Sequence, residues 1–177
     1  FALKYFLTLL LCLSILFSNA QKKNNSFQLH IHKTNEHINI DGSMNEAAWQ
    51  EAETANSFFM VLPMDTSKAH VNTEVKMTYD NNNIYVIAIC YLPKKGPYMV
   101  ESLRRDFAFG KNDNFIFFLD PYNDLTNGYT FGANAAGAQW DGMLYEGGKA
   151  DLNWDNKWVS VVKNDDDKWV FEASIPF

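Results

Sequence analysis

The sequence predicts an all-β protein whose antiparallel strands pack into a sandwich, with one short helix after the first strands. Three observations support this prediction. Many short apolar runs alternate with turn residues, and only residues 43–51 have helical features. The chain has 177 residues, 47% of them hydrophobic, which is enough for one domain with a core. We therefore expect a β-sandwich of the jelly-roll or immunoglobulin-like kind.

The predicted strands follow one another along the chain. Residues 27–32 alternate apolar and polar side chains, as a half-buried strand does. Residues 73–79 and 84–91 flank the turn run 80–83 and predict a hairpin. The second of these strands is almost entirely apolar, which predicts a central strand covered on both faces. Further strand patterns cover residues 114–119, 129–134, 138–145, 157–163 and 168–175.

The stretch INIDGSMNEAAW, residues 38–49, predicts a structural corner. Asp41 and Gly42 form a strong turn signal, because glycine tolerates positive φ and aspartate bonds to its own backbone. Ser43 and Glu46 have the spacing of a capping box, which predicts a helix over residues 43–51. We expect Trp49 to anchor this corner in the core, although stacking on a ligand is the alternative.

The first twenty residues have the pattern of a secretory signal peptide. Lys4 precedes the apolar run 5–17, and small residues stand before a cleavage point after Ala20. We expect residues 21–34 to hold a linker and the first strand, and residues 35–177 to hold the sandwich. The protein is then exported to the periplasm, the outer membrane or the extracellular space. We also expect the sequence to be a C-terminally truncated fragment of a longer protein.

Charge and cysteine content exclude several classes of function. The formal net charge is -6, whereas a nucleic-acid partner needs a basic face. After removal of the leader, Cys90 is the only cysteine, and its apolar surroundings predict a buried thiol rather than a reactive one. The sequence has no serine-hydrolase, zinc-protease or phosphate-loop motif.

The order of its segments resembles the family 9 carbohydrate-binding module over residues 35–177. The resemblance is closest to the version at the N-terminus of secreted or outer-membrane proteins of Bacteroidetes-type bacteria, where a domain of unknown function follows. The segments that carry it are INIDGSMNEAAW, TEVKMTYDNNNIYVIAICY, Arg104–Asp106, Asp113–Phe115, Phe118–Pro121, Gly128–Phe131 with Asn134, Gln139–Gly142, Trp154–Asp155 with Trp158, and Trp169–Phe177.

The resemblance implies a β-sandwich that holds sugar chain ends between two tryptophan rings. Trp140 and Trp154 are our candidates for sugar stacking, because flat aromatic rings cover the apolar faces of sugars. Both lie among polar residues, and packing at the rim or in the core is the alternative for each. Candidates for hydrogen bonds to sugar hydroxyls are Asn134, Gln139, Arg105 and Asp106. A surface ion pair is the alternative for the two charged residues.

The same resemblance implies structural calcium as a cofactor. Calcium takes six to eight hard oxygen ligands. Carboxylates and amides are dense around the strand predicted at residues 114–119, and we place the candidate metal site at Asp113 and Asp120.

Three functions are compatible with these features. The first is an exported carbohydrate-binding module that is not catalytic by itself and takes an oligo- or polysaccharide as its partner. The alternative is a structural or interaction domain that docks on a C-terminal envelope domain and binds no sugar. The third is an activity associated with glycoside hydrolases, for which the sequence marks no pair of catalytic carboxylates.

Overall fold

Nine strands form two sheets in the structure, a computed structural model that describes residues 27–62 and 67–177. The first sheet contains, in spatial order, β1 (His32–Lys33), β2 (Thr73–Tyr79), β3 (Asn83–Tyr91), β9 (Lys168–Pro176) and β8 (Val159–Asn164). The second contains β4 (Asn114–Leu119), β5 (Gly128–Asn134), β6 (Gln139–Tyr145) and β7 (Lys149–Asp151). The only helices in the described part of the chain are α1 (Ala47–Glu51) and a 3-10 turn (Phe109–Lys111). The predicted β-sandwich is confirmed.

The two sheets pack face to face through alternate residues of their strands. From the first sheet, Phe171 of β9 lies with its ring centroid 5.4 Å from that of Phe115 in β4. Trp158, just before β8, packs edge-on against Phe131 of β5, also at 5.4 Å. Because side chains alternate along a strand, every second residue of β4, β5 and β6 points toward this core. We call this the inner face of the second sheet.

Most predicted strands agree with the structure within two residues. The exception is the first one, because of residues 27–32 only His32 belongs to β1, which is exposed and runs parallel to the end of β2. Phe27 instead packs edge-on against Phe59, with ring centroids 5.6 Å apart. The alternation of residues 27–32 predicted a half-buried strand. A strand also needs a neighbouring strand to pair with along its whole length, and alternation carries no information about that neighbour. Residues 1–26, which include the predicted leader, lie outside the described residues.

The outer face of the first sheet is covered by the predicted corner. Trp49 is fully buried and packs with Ile38, Ile87, Ile89 and other residues of this cluster. Residues 85–90 of β3 are therefore buried on both faces, as predicted for a central strand. They include Cys90, and burial raises the pKa of its thiol to about 12. The thiol is protonated at neutral pH and unreactive.

A buried carboxylate ties the corner to the sheet. Glu172 of β9 has no solvent exposure and accepts hydrogen bonds from the backbone N–H groups of Asp41 (2.9 Å) and Gly42 (2.7 Å). Its second oxygen accepts one from the Trp49 indole N–H at 3.1 Å. Gly42 has a φ of 75°, and a Cβ there would lie 2.9 Å from the Lys163 Cβ, so glycine is required.

The predicted capping box is wrong. The helix begins at Ala47, its N-cap is Glu46, and no side chain caps it there. Glu36 performs part of this role, because its carboxylate accepts the Ala48 N–H at 3.0 Å. The Ser43 N–H instead donates to Asp41 at 2.9 Å, which makes the turn that the Asp-Gly pair predicted. Capping-box spacing depends on where the helix starts, and here the chain stays extended for three residues more.

No helix within the described ranges is long and apolar enough to cross a membrane.

Candidate functional site

Arg105 occupies the side of the sandwich where β6 faces β8. Its guanidinium donates from Nη1 to Gln139 Oε1 at 2.6 Å, from Nε to Asp155 Oδ1 at 2.8 Å, and from Nη2 to Asp141. A longer contact of 3.5 Å joins Nη2 to the Asn156 carbonyl. Among the described residues, these four contacts leave one of the five guanidinium N–H groups without a partner, and the side chain is 33% exposed.

Gln139 and Asp141 are inner-face residues of β6 that hold Arg105 in place. The Gln139 amide donates to Ser160 Oγ of β8 at 3.0 Å, which joins the two sheets. Asp141 is fully buried, and its Oδ2 accepts the Asn156 N–H at 2.8 Å. Burial raises the pKa of the Asp141 carboxyl, although that N–H and the Arg105 charge oppose the shift. The Asp141 carboxylate binds Arg105 and the Asn156 N–H, and it does not reach solvent.

The inner face of β6 becomes aromatic and more open beyond Asp141. Met143 and Tyr145 continue the same face and are 39% and 37% exposed. Tyr129 of β5 stands directly opposite Met143. The Trp154 ring covers Tyr129, with centroids 4.9 Å apart and a tilt of 32°. Nearby, Tyr122 is well exposed, and its hydroxyl raises the pKa of Tyr129.

These two groups form one surface, which we call the β6 strip. Its polar half consists of Arg105, Gln139 and Asp155, with the buried Asp141 beneath them. Its aromatic half consists of Tyr122, Tyr129, Met143, Tyr145 and Trp154. Asp155 is the most accessible polar member, with a side chain that is 66% exposed and one oxygen that has no hydrogen bond to a described residue. The segment 154–156 runs along both halves, because Trp154 covers the aromatic half and Asn156 bonds to the polar one.

Trp140 lies on the other face of the second sheet. It pairs with Gly132, whereas its neighbours Gln139 and Asp141 face inward. It is 9% exposed and packs in a small cluster with Phe107, Ala138, Ile116 and Leu152. The two candidate stacking residues therefore point to opposite faces, and Trp140 and Trp154 do not form a shared slot. Only Trp154 belongs to the β6 strip.

Asn134 is a structural residue of the turn after β5. It has no solvent exposure, and its amide donates to the Ser102 carbonyl at 2.7 Å. Its Oδ1 accepts the N–H groups of Ala136 (3.1 Å) and Ala138 (3.0 Å). These bonds close the tight connection between β5 and β6, and a sugar has no access to the side chain.

Asp106 lies behind the polar half. It has a positive φ of 56°, and its backbone N–H donates to the Gln139 carbonyl at 3.0 Å. Its Oδ1 is buried and has no hydrogen-bond partner among the described residues. Burial raises the pKa of this carboxyl, and the nearby Asp141 and Asp155 charges raise it further. The structure thus places Asp106 next to Arg105 and Gln139.

The calcium candidates do not share a site. Asp113 precedes β4 and Asp120 follows it, so six strand residues, roughly 20 Å of extended chain, separate them. Asp113 accepts the Met99 N–H at 2.8 Å, and Asp120 accepts three backbone N–H groups of its own loop. Within the described ranges, no group of three or more His, Cys, Asp or Glu residues has the geometry to hold a metal ion. The predicted pair does not fit calcium.

The aromatic half was not predicted from the sequence apart from Trp154. The sequence feature that could have predicted it is the period-2 alternation of β6. This alternation puts Gln139, Asp141, Met143 and Tyr145 on one face of the sheet. The contribution of Tyr129 depends on the register between β5 and β6. The side chain of Tyr122 comes from a loop. Neither of these two positions follows from a local pattern.

These features define the class of the protein. It is a β-sandwich with a strip of polar and aromatic side chains along one side. The family model described as "Carbohydrate family 9 binding domain-like" matches residues 40–177. The chain belongs to this family, as its segment order predicted.

Solved structures share the fold. The chain is similar to a carbohydrate-binding module of family 9 from Caldicellulosiruptor kristjanssonii in complex with glucose, with 18% identity and a TM-score of 0.56. The match covers 83% of this chain and 68% of that one. A structure of such a module from the same organism with cellotriose matches at 18% identity and a TM-score of 0.55, over 83% of this chain and 67% of that one. Comparison with curated proteins gave no match.

Proposed function

We propose that this protein is a non-catalytic carbohydrate-binding module and that it holds a glycan on the β6 strip. The observation that carries the proposal is the continuity of an aromatic half with a polar half on one face of β6. Membership of the family supports it, as do the glucose and cellotriose complexes of the Caldicellulosiruptor modules.

The chemistry of the strip suits a sugar ring. The partly exposed rings of Trp154 and Tyr145 cover an apolar sugar face, while hydroxyl groups bond to Asp155 and to the spare N–H of Arg105. Arg105 is already oriented by three side chains, so a ligand loses little side-chain entropy by binding it. Few groups are desolvated, and we expect dissociation constants between about 1 μM and about 1 mM.

Hydrolysis is not part of this proposal. A glycosidase needs two carboxylates that flank a bond in an open cleft. In the polar half, Asp141 is sealed and both Asp141 and Asp155 bind the same guanidinium. We therefore assign the strip to binding alone.

Calorimetry with tryptophan fluorescence tests the proposal. We would titrate the protein with cello- and xylo-oligosaccharides and repeat this with the variants Trp154→Ala and Tyr145→Ala. Phe109→Ala is the matched control, because Phe109 is an exposed aromatic residue outside the strip. We expect saturable binding that is at least tenfold weaker in both strip variants and unchanged in the control. Equal affinities in all four folded proteins would remove the strip as the site.

A second function is supported by exposed apolar residues away from the strip. Phe118 and Leu125 are exposed beside a groove of ≈220 Å³ that Leu144 also lines. Such a patch suits docking on another domain of an envelope protein. Phe118→Ser and Leu125→Ser in the full-length protein should then increase protease cleavage between domains without changing sugar binding. Unchanged cleavage would argue against docking at this face.

We propose that residues 1–20 direct the protein out of the cytoplasm, to the periplasm, the outer membrane or the medium. Fractionation of cells that express the full chain, beside a variant with Leu9→Lys and Leu11→Lys in the apolar run, tests this. Recovery of both proteins in the cytoplasm would contradict export.

A further inference from the structure

Among the edge strands of the two described sheets, only β4 is both long and free of charge. The other edges are β1 with two residues, β7 with three, and β8 with six. Each of these three strands contains a lysine, which discourages pairing with a further strand. β4 has the sequence NFIFFL and contains no charged residue. Its free edge therefore lacks the protection that the other edges have.

The backbone of β4 presents every second residue to this free edge. The Ala135 N–H donates to the Asp113 carbonyl across the β4–β5 pair, whereas the Asn134 N–H donates to Ala138 on the side of β6. Because backbone groups alternate between the two edges of a strand, the odd positions of β4 point toward β5 and the even positions point away from it. The even positions are Asn114, Ile116 and Phe118. Within the described ranges, their three N–H and three C=O groups have no backbone partner.

The sandwich is open beside β4. No residue of β4 is buried, whereas six of the seven residues of β5 are. β4 lies over β9, because Phe115 and Phe117 pack on Phe171. The first sheet continues past β9 with β3, β2 and β1, and the second sheet has no described strand over them. The inner-face apolar side chains that are only partly buried here are Met77, Ile84, Phe115, Phe117 and Leu119.

The outer face beside the free edge is apolar as well. Phe118 is largely exposed, and Leu125 lines the same groove. Ile116, the other apolar residue on this face of β4, is partly buried beside the Trp140 cluster. A strand paired with β4 would therefore have apolar neighbours on both of its faces, which suits an almost continuously apolar strand.

A second copy of the chain does not suit this edge. Symmetric antiparallel pairing would place the two β4 strands about 4.8 Å apart, with their first sheets in the same layer. In each copy, β3, β2 and β1 extend past β4 on that side. The first sheets of the two copies would then occupy the same space. The occupant must be an extended strand that brings no second sheet with it.

We propose that another domain of the same envelope protein supplies one extended, uncharged and apolar strand, which pairs with the free edge of β4 and completes the sandwich. This inference rests on the docking function proposed for Phe118 and Leu125, and it names how the partner binds. Backbone hydrogen bonds of an added strand give affinity, and its alternate side chains give specificity. One face of the strand fills the opening between the sheets, and the other packs beside Phe118.

Residue-resolved hydrogen exchange tests the proposal. It compares the 177-residue chain with the longer protein of which we expect it to be a fragment. The amides of Asn114, Ile116 and Phe118 should exchange at least about tenfold more slowly in the longer protein, whereas those of Phe115 and Phe117 should be protected in both. Equal exchange of the three edge amides in both proteins would overturn the inference. Protection that appears in the 177-residue chain alone and rises with its concentration would identify a second copy as the occupant and would also overturn it.

Two substitutions at one position separate strand pairing from side-chain contact. Phe118→Ser removes the ring and keeps the edge N–H. Phe118→Pro removes both, and it spares the bonds between β4 and β5 because that N–H points to the free edge. Protease cleavage between the domains of the longer protein should rise about three- to tenfold more for Phe118→Pro, as expected for one further lost hydrogen bond. Equal increases for the two variants would overturn strand pairing and leave docking by side chains, whereas no increase for either would also overturn the docking function.

Discussion

Glu172 and Asp141 are both buried carboxylates, yet their surroundings differ in kind. Glu172 has no solvent exposure and is held by three N–H donors of the corner, and no cation in the described part of the chain pairs with it. Asp141 is equally buried but binds Arg105, whose other side reaches solvent beside Asp155. One carboxylate closes a structural joint, and the other anchors a group that faces outward.

The comparison teaches how burial relates to function in this fold. A carboxylate satisfied only by fixed backbone and indole N–H groups has no free capacity and contributes to stability. In the proposed site, a carboxylate that orients a partly exposed guanidinium would pre-position a donor for the glycan. The same chemical group therefore serves two purposes, and its partner decides which one.

The largest effect should come from removing the joint. Glu172→Ala leaves three N–H donors without acceptors, and we expect the free energy of unfolding to fall by about 3 to 5 kcal/mol. Urea unfolding followed by circular dichroism measures this. Glu101→Ala is the matched control, because Glu101 is exposed and pairs only with Lys111 at 3.1 Å, so its loss should cost less than about 1 kcal/mol. Similar losses in both variants would show that Glu172 is not the joint.

Removal of the anchor should cost somewhat less and should affect binding. Asp141→Ala leaves the Arg105 and Asn156 donors unpaired, and we expect a loss of about 2 to 3 kcal/mol. Asp155→Ala, on the exposed side of the same guanidinium, should cost under about 1 kcal/mol. A double-mutant cycle with Arg105→Ala should assign most of the coupling to Asp141. Equal coupling of Arg105 to Asp141 and Asp155 would show that Asp141 is not its main anchor.

The pH dependence of stability tests the Glu172 joint in a second way. Burial raises the pKa of Glu172 above its ordinary value of 4.5, so the folded state holds the proton more tightly than the unfolded state. Its contribution is fully present below the ordinary pKa and is lost as pH rises through the folded pKa. The difference in unfolding free energy between the native protein and Glu172→Gln should therefore change with pH in this window. A difference that is constant from about pH 4 to about pH 8 would contradict the raised pKa.

The smallest effects lie within the corner itself. Ser43 does not cap α1, so Ser43→Ala should change the free energy of unfolding by less than about 0.5 kcal/mol. Glu36 accepts the Ala48 N–H, and Glu36→Ala should cost about 1 kcal/mol, which is typical of a lost helix cap. Thermal unfolding resolves the two. If Ser43→Ala lowered the free energy of unfolding more than Glu36→Ala, Ser43 would be the cap of the helix and the predicted capping box would be correct.

Local patterns predicted most of the framework. The strands around the Asp80–Asn83 turn, the central strand β3 and the turn at Gly42 depend on alternation and turn chemistry that neighbouring residues carry by themselves. The short strands β1 and β7 were not predicted correctly, since their length depends on how many backbone hydrogen bonds the adjacent strand can make with them. The helix start also differed, because capping depends on where the extended chain ends.

The site depended on contacts that no local pattern contains. The sequence marked Arg105, Gln139 and Trp154, but it placed Trp140 beside them, and strand register directs that ring to the opposite face.

The amino-acid sequence alone therefore determined the β-sandwich class, the corner at Asp41–Gly42 and the burial of Trp49. Tertiary structure decided which carboxylates are sealed and which face outward. Glu172 meets Gly42 across 130 residues, and Arg105 meets Asp141 across 36. Hydrophobic periodicity and turn propensity act over a few residues, whereas these partners are brought together only when the two sheets pack.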